Sequence, residues 1–111
     1  MELDLSASRD GDVCVVRVAG EVDVYTSPSL KAALADAMSD GCPIIIADLS
    51  KVPFIDSSGL GVLVGALRRA REAGGELHLV SADDAVVKIL RITGLDRVFR
   101  LYSTLDEARG A

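Results

Sequence analysis

The sequence predicts one α/β domain built on a mixed, mostly parallel sheet. Three observations support this fold class. The chain has 111 residues, which is a usual length for one globular domain. Half of the residues are hydrophobic, enough to fill a packed core. Strand-like and helix-like segments alternate after an initial strand pair, and such crossover connections place successive strands parallel. Because we find no internal repeat and no linker, we expect residues 1–111 to form a single domain.

The first half of the chain begins with a predicted antiparallel hairpin. Apolar and polar residues alternate over 3–6, turn-forming residues occupy 9–12, and the apolar run Val13–Ala19 follows. Ser27 and Pro28 then carry the signals of a helix start, since serine caps helices and proline suits the first turn. The apolar stripe of this helix consists of Leu30, Ala33, Leu34, Ala37 and Met38.

The middle of the chain predicts a central strand followed by a second helix. Residues 44–49 are mostly β-branched and apolar, as in a strand that is buried on both faces. The residues Asp56, Ser57 and Ser58 open the next helix, which ends at a pair of glycines after three arginines. The inward stripe of this helix would be Leu60, Leu63, Val64 and Leu67.

The last third of the chain predicts two further strands and two short helices. Residues 76–80 alternate as a strand, and Asp83 or Asp84 can cap a helix that ends at Gly94. Residues 98–102 are expected to form the last strand. Thr104 and the glutamate three residues later make a capping box for a terminal helix.

Charge and hydropathy exclude several classes of function. The formal net charge is −5 and the sequence pI is about 4.7, so the chain should repel the phosphate backbone of nucleic acid. No uncharged stretch approaches the roughly 20 apolar residues that span a bilayer. The N-terminus is acidic and is followed by no apolar signal region. We therefore expect a cytoplasmic protein that binds neither nucleic acid nor membrane directly.

The two cysteines lack the spacing of a metal or redox motif. Cys14 and Cys42 form no CxxC pair and stand near no histidine cluster, so a zinc site has no support. Cys14 lies among valines and is expected to be a buried thiol. A disulfide between the two is an alternative that the expected cytoplasmic location disfavours.

The polar segment most able to carry chemistry lies where the central strand runs into the second helix. Ser57 and Ser58 stand at the positive end of the helix dipole, where unpaired backbone N–H groups can accommodate a phosphate. The structural alternative is ordinary capping by either serine, with Gly59 and Gly61 permitting close packing. The local pattern leaves both interpretations open.

Enzyme chemistry finds little support in the sequence. A serine hydrolase needs a base and a GxSxG turn, but the chain has one histidine, His78, on a predicted strand that we expect to be partly exposed. The glycines Gly59, Gly61 and Gly65 miss the GxGxxG spacing of a dinucleotide site. We therefore expect no catalytic residue, no cofactor and no metal.

Three blocks of sequence carry a resemblance to a known family. Residues 56–61 read DSSGLG, residues 20–26 read GEVDVYT, and residues 93–95 read TGL. Together, in this order and spacing, they resemble the STAS domains of bacterial anti-sigma factor antagonists. The resemblance extends from the first hairpin to Tyr102.

The resemblance implies a protein switch without catalysis of its own. It implies that an ATP-dependent anti-sigma factor serine kinase phosphorylates Ser58, that the unphosphorylated form binds this kinase and frees its sigma factor, and that a metal-dependent serine phosphatase resets the cycle. The chain would be a monomer. The alternative is a STAS scaffold or sensor module in a stress-signalling assembly. The residues expected to contact the partner are Asp23, Tyr25, Thr26, Asp56, Ser57, Ser58, Gly59, Leu60 and Gly61.

Overall fold

A computed structural model describes residues 2–110. Its strands are β1 (Asp4–Asp10), β2 (Val13–Ala19), β3 (Ile44–Lys51), β4 (Glu76–Val80) and β5 (Arg100–Tyr102), and its helices are α1 (Ser27–Ser39), α2 (Ser57–Glu72), α3 (Asp84–Ile92) and α4 (Leu105–Arg109). The strands form one sheet in the order β1-β2-β3-β4-β5. The β1–β2 pair is antiparallel and the other pairs are parallel. The predicted fold class, with its antiparallel hairpin and central β3, is confirmed.

Helices cover both faces of the sheet, but unequally. The larger core joins one face of β2, β3 and β4 to the apolar sides of α1, α2 and α3, with Leu30, Leu63 and Leu90 all fully buried there. A smaller cluster on the opposite face places α4 over Val15, Ile46 and Val80. The larger core therefore fixes α2 against the sheet, and with it the serines at the start of that helix.

The ends of the later elements agree with most of the predictions. The carboxylate of Asp83 accepts hydrogen bonds from the amides of Ala85 and Val86 and so caps α3. Thr104 caps α4 through the amide of Glu107. The last strand begins two residues later than predicted, because the amides of Val98 and Phe99 donate to the carbonyl of Leu95 at the end of a 3-10 helix that covers Leu95–Arg97.

Two expectations about single residues are wrong. His78 is buried, with 6% of its surface exposed, because α4 and the ring of Tyr102 lie on its side of β4. Cys14 is not a free thiol: it forms a disulfide with Cys42, which lies between α1 and β3. Both departures come from contacts between segments that are distant in the sequence.

Within residues 2–110, none of the helices combines the length and the apolar character that crossing a membrane would require.

Candidate functional site

Two segments meet beside the start of α2 and form what we call the loop corner, residues 20–26 and 52–61. Val22 and Ile55 pair as a parallel bridge. The amide of Val22 donates to the carbonyl of Phe54 at 3.0 Å, and the amide of Asp56 donates to the carbonyl of Val22 at 3.1 Å. Gly20 begins the first segment with a φ of +117°, a conformation that favours glycine. The corner is thus a hydrogen-bonded unit that joins two of the three resembling blocks.

Gly59 brings the first turn of α2 into direct contact with this bridge. A Cβ built on Gly59 would stand 2.6 Å from side-chain atoms of both Val22 and Ile55. No side chain larger than hydrogen fits without a shift of the surrounding atoms. Gly61, by contrast, has open space around its Cα and is exposed.

Asp56, and neither serine, caps α2. Its Oδ1 accepts hydrogen bonds from the amides of Ser58 at 2.8 Å and Gly59 at 3.2 Å. The alternative interpretation, that Ser57 or Ser58 supplies the cap, is therefore wrong, because the carboxylate of the residue directly before Ser57 accepts from these donors. The expectation of unpaired amides waiting for a phosphate is also wrong for the amides of Ser58 and Gly59.

The hydroxyls of Ser57 and Ser58 take no part in the cap. Ser57 is exposed and Ser58 is partly buried, and both lie in the first turn of α2. The Asp56 carboxylate lies beside them and already offsets the positive end of the helix dipole. A phosphate on Ser58 would therefore add its charge next to an existing negative charge.

The segment before α1 is shaped by Asp23. Its carboxylate accepts hydrogen bonds from the amides of Tyr25 and Thr26 at 2.9 Å and from the Thr26 hydroxyl at 3.2 Å. The backbone hydrogen bond from Thr26, followed by that from Tyr25, lowers the pKa of Asp23 below its ordinary 3.8. The Thr26 hydroxyl also lies 2.9 Å from the carbonyl of Glu21, so its one proton is shared between two acceptors. Asp23 and Thr26 thus hold the loop that presents Tyr25.

Three apolar side chains are exposed in the loop corner. Tyr25 is 86% exposed and Val24 is 59% exposed, and both lie in the loop that Asp23 holds. Phe54, 47% exposed, lies in the other segment and was not predicted to be exposed, because an aromatic residue shortly after a buried strand resembles a core residue. Exposed aromatic side chains are common anchors in protein interfaces.

The remaining residues that were predicted to contact a partner differ in how deeply they are buried. Asp56 is half-buried, while Thr26, Gly59 and Leu60 are buried beneath the surface of the loop corner. Their direct contact with a partner stays a prediction. His78 lies on the α4 side of the sheet, away from the serines on α2.

Comparison with known proteins identifies the family. The model of the STAS domain family matches residues 4–108. The chain belongs to the STAS domain family. This result confirms the resemblance drawn from the three sequence blocks.

Two relatives of this STAS domain are named as anti-sigma factor antagonists. An anti-sigma-B factor antagonist from Listeria monocytogenes is 36% identical over 102 residues, which cover 92% of this chain and 90% of the relative. An anti-sigma factor antagonist from Mycobacterium paratuberculosis superposes with a TM-score of 0.90 at 33% identity, over 97% of this chain and 92% of that one.

A third relative has been solved in two chemical states. SpoIIAA, an anti-sigma factor antagonist and Bacillus cell fate determinant, is 25% identical to this STAS domain. Its unphosphorylated form superposes with a TM-score of 0.79, over 97% of this chain and 98% of that one. Its phosphorylated form superposes with a TM-score of 0.72, over 97% and 96%.

Proposed function

We propose that this STAS domain is an anti-sigma factor antagonist that is switched by phosphorylation of Ser58. The unphosphorylated form binds an anti-sigma factor serine kinase through the loop corner and frees the sigma factor that the kinase holds. The kinase phosphorylates Ser58 at the expense of ATP, and the phosphorylated form no longer binds. The domain itself acts by binding, not by catalysis.

The observation that carries this proposal is the position of Ser58. It lies in the first turn of α2, partly exposed, beside the two hydrogen-bonded segments that present Tyr25 and Phe54. A modification there lies within a surface suited to docking. The names of the relatives and the existence of SpoIIAA in phosphorylated and unphosphorylated forms support the same role.

The charge arrangement explains why phosphorylation would prevent docking. A phosphoserine adds about 1.5 to 2 negative charges. Asp56 stands next to Ser58 and already occupies the amides of Ser58 and Gly59. The new charge would therefore project into the interface, where like charge and desolvation oppose binding. A loss of about 1.4 kcal/mol already lowers the affinity tenfold.

Further parts of the proposal follow from the same switch. A metal-dependent serine phosphatase would restore the hydroxyl of Ser58. The cycle would take place in the cytoplasm, with the antagonist as a monomer in its free form. The net charge of −5 disfavours direct binding to nucleic acid, so control of transcription would pass through the kinase and the sigma factor.

Mapping of the phosphate tests the proposal. The purified chain, its Ser58→Ala variant and its Ser57→Ala variant are incubated with ATP and the anti-sigma factor kinase from the same organism, and each product is located by fragment mass. We expect one phosphate on the wild type and on Ser57→Ala, and none on Ser58→Ala. A phosphate that persists on Ser58→Ala would overturn the assignment. If the kinase neither binds nor phosphorylates the chain, and the chain elutes from gel filtration as a large assembly, the result would support a scaffold instead.

A further inference from the structure

The disulfide between Cys14 and Cys42 joins two elements that the switch does not use. Cys14 lies in β2, on the sheet face that packs against α1, and Cys42 lies in the connection between α1 and β3. Their Cα atoms are 5.9 Å apart, within the ordinary range for a disulfide. The bond anchors the C-terminal end of α1 to the sheet.

The loop that this bond closes contains the first of the two segments of the loop corner. The two cysteines are 28 residues apart in sequence, and the chain between them includes residues 20–26 and all of α1. A disulfide restricts the unfolded and partly open states of the loop it closes. Without the bond, α1 is held to the sheet by the apolar contacts of Leu30, Leu34 and Ala37.

Both cysteines are buried, and Cys42 is the less deeply buried of the two. Cys14 is 3% exposed and Cys42 is 8% exposed. Cys42 also borders a surface cavity of about 160 Å³ that is lined by Met38, Gly41, Pro43, Ala70, Ala73 and Gly75. An attacking thiolate therefore meets Cys42 first, and the Cys14 sulfur is the leaving group.

We propose that Cys14 and Cys42 form a reversible redox site that controls the stability of α1 and of residues 20–26. A dithiol reductant of the thioredoxin class attacks Cys42, and the sulfur of Cys14 leaves as a thiolate and takes up a proton. The second thiol of the reductant then breaks the mixed disulfide and releases the Cys42 thiol. The protein gains two electrons and two protons, and the reductant becomes a disulfide. The redox reaction itself involves neither the hydroxyl of Ser58 nor the kinase, although residues 20–26 belong to the loop corner.

Matched samples test the site in the purified protein. The wild type is oxidised with diamide or reduced with dithiothreitol, and a Cys14→Ala/Cys42→Ala variant receives the same treatments. We expect reduction to lower the Tm of the wild type by at least about 5 °C and to speed amide exchange in residues 20–43 roughly tenfold or more. The variant should respond to neither reagent. An equal Tm and equal exchange in both wild-type states, or thiols that never pair under diamide, would overturn the proposal.

A second measurement addresses reversibility in the cell. Cells of the native host are quenched with acid during growth, after exposure to diamide and after recovery, and free thiols are labelled with N-ethylmaleimide. We expect both cysteines to carry the label during growth, to lose it after the oxidant and to regain it on recovery. A label pattern that is the same in all three samples contradicts a reversible site.

Discussion

Gly59 lies so close to Val22 that a Cβ at position 59 would stand 2.6 Å from the Cγ1 of Val22. This contact holds the first turn of α2 against the bridge between Val22 and Ile55. The glycine that follows the two serines is thus a packing requirement of the loop corner. Any displacement of α2 there would also move Ser58, which directly precedes Gly59.

Gly59 and Gly61 of α2 should respond in opposite directions to the same change. Gly59→Ala must push Val22 or Ile55 aside, and we expect it to lower the free energy of unfolding by roughly 1–3 kcal/mol. Gly61→Ala meets no atom within 4 Å and lies in a helix, so it should raise the stability by roughly 0.5–1 kcal/mol. Urea unfolding of the two variants measures both effects. Equal effects of the two substitutions would contradict the packing role of Gly59.

Removal of the cap at Asp56 should weaken α2. Asp56→Ala leaves the amides of Ser58 and Gly59 without their acceptor, and we expect a loss of about 1 kcal/mol of stability. Asp56→Asn retains a capping oxygen and should lower the stability by only a few tenths of about 1 kcal/mol. Thermal unfolding of both variants checks the prediction. If Asn and Ala prove equally destabilising, the charge of Asp56 matters more than its cap.

The exposed aromatic side chains should contribute to binding and little to folding. We expect Tyr25→Ala and Phe54→Ala each to weaken binding to the anti-sigma factor kinase by about 1–3 kcal/mol, because exposed aromatic residues anchor interfaces. Ile92→Ala is the matched control, since Ile92 is 70% exposed at the end of α3, outside the loop corner. Calorimetric titration measures the three affinities. If the affinity falls no more than it does for Ile92→Ala, Tyr25 and Phe54 do not contribute to the docking surface.

Burial of His78 predicts a dependence of stability on pH. Burial, followed by the charge of Arg100, lowers the pKa of His78 below 6.5, although Glu76 acts in the opposite direction. The folded state then binds fewer protons than the unfolded state, so this contribution to stability is complete above pH 6.5 and is lost as the pH falls below it.

Unfolding by urea between about pH 7.5 and about pH 5.5 tests this dependence. His78→Leu removes the titrating group, so its stability should vary less over this range than that of the wild type. The carboxylates are common to both proteins and contribute the same slope to each. Identical slopes would show that His78 does not titrate differently in the two states.

Local patterns predicted the elements and the fold class of this chain well. The β-branched run of β3, the alternation in β4 and the caps at Asp83 and Thr104 are local signals, and the structure follows them. The α4 helix was also predicted. Its position over His78 was not, because covering a sheet face is a tertiary contact with no local signal.

The candidate site was predicted in its position but not in its detailed chemistry. The DSSG block located the start of α2, yet the sequence alone did not distinguish a capping serine from a capping aspartate. The exposure of Phe54 depends on how the segment before α2 lies beside Val22. The pairing of Cys14 with Cys42 likewise depends on where α1 returns to the sheet.

The most direct test of the switch compares the affinity of two forms of the same chain for the anti-sigma factor kinase. The chain is prepared unmodified and with phosphate on Ser58 alone, and binding and thermal stability are measured for both. We expect phosphorylation to lower the affinity at least about tenfold and to leave the cooperative unfolding transition in place. Equal affinity of the two forms would contradict the account, and so would loss of binding that arises only because the phosphorylated chain has unfolded.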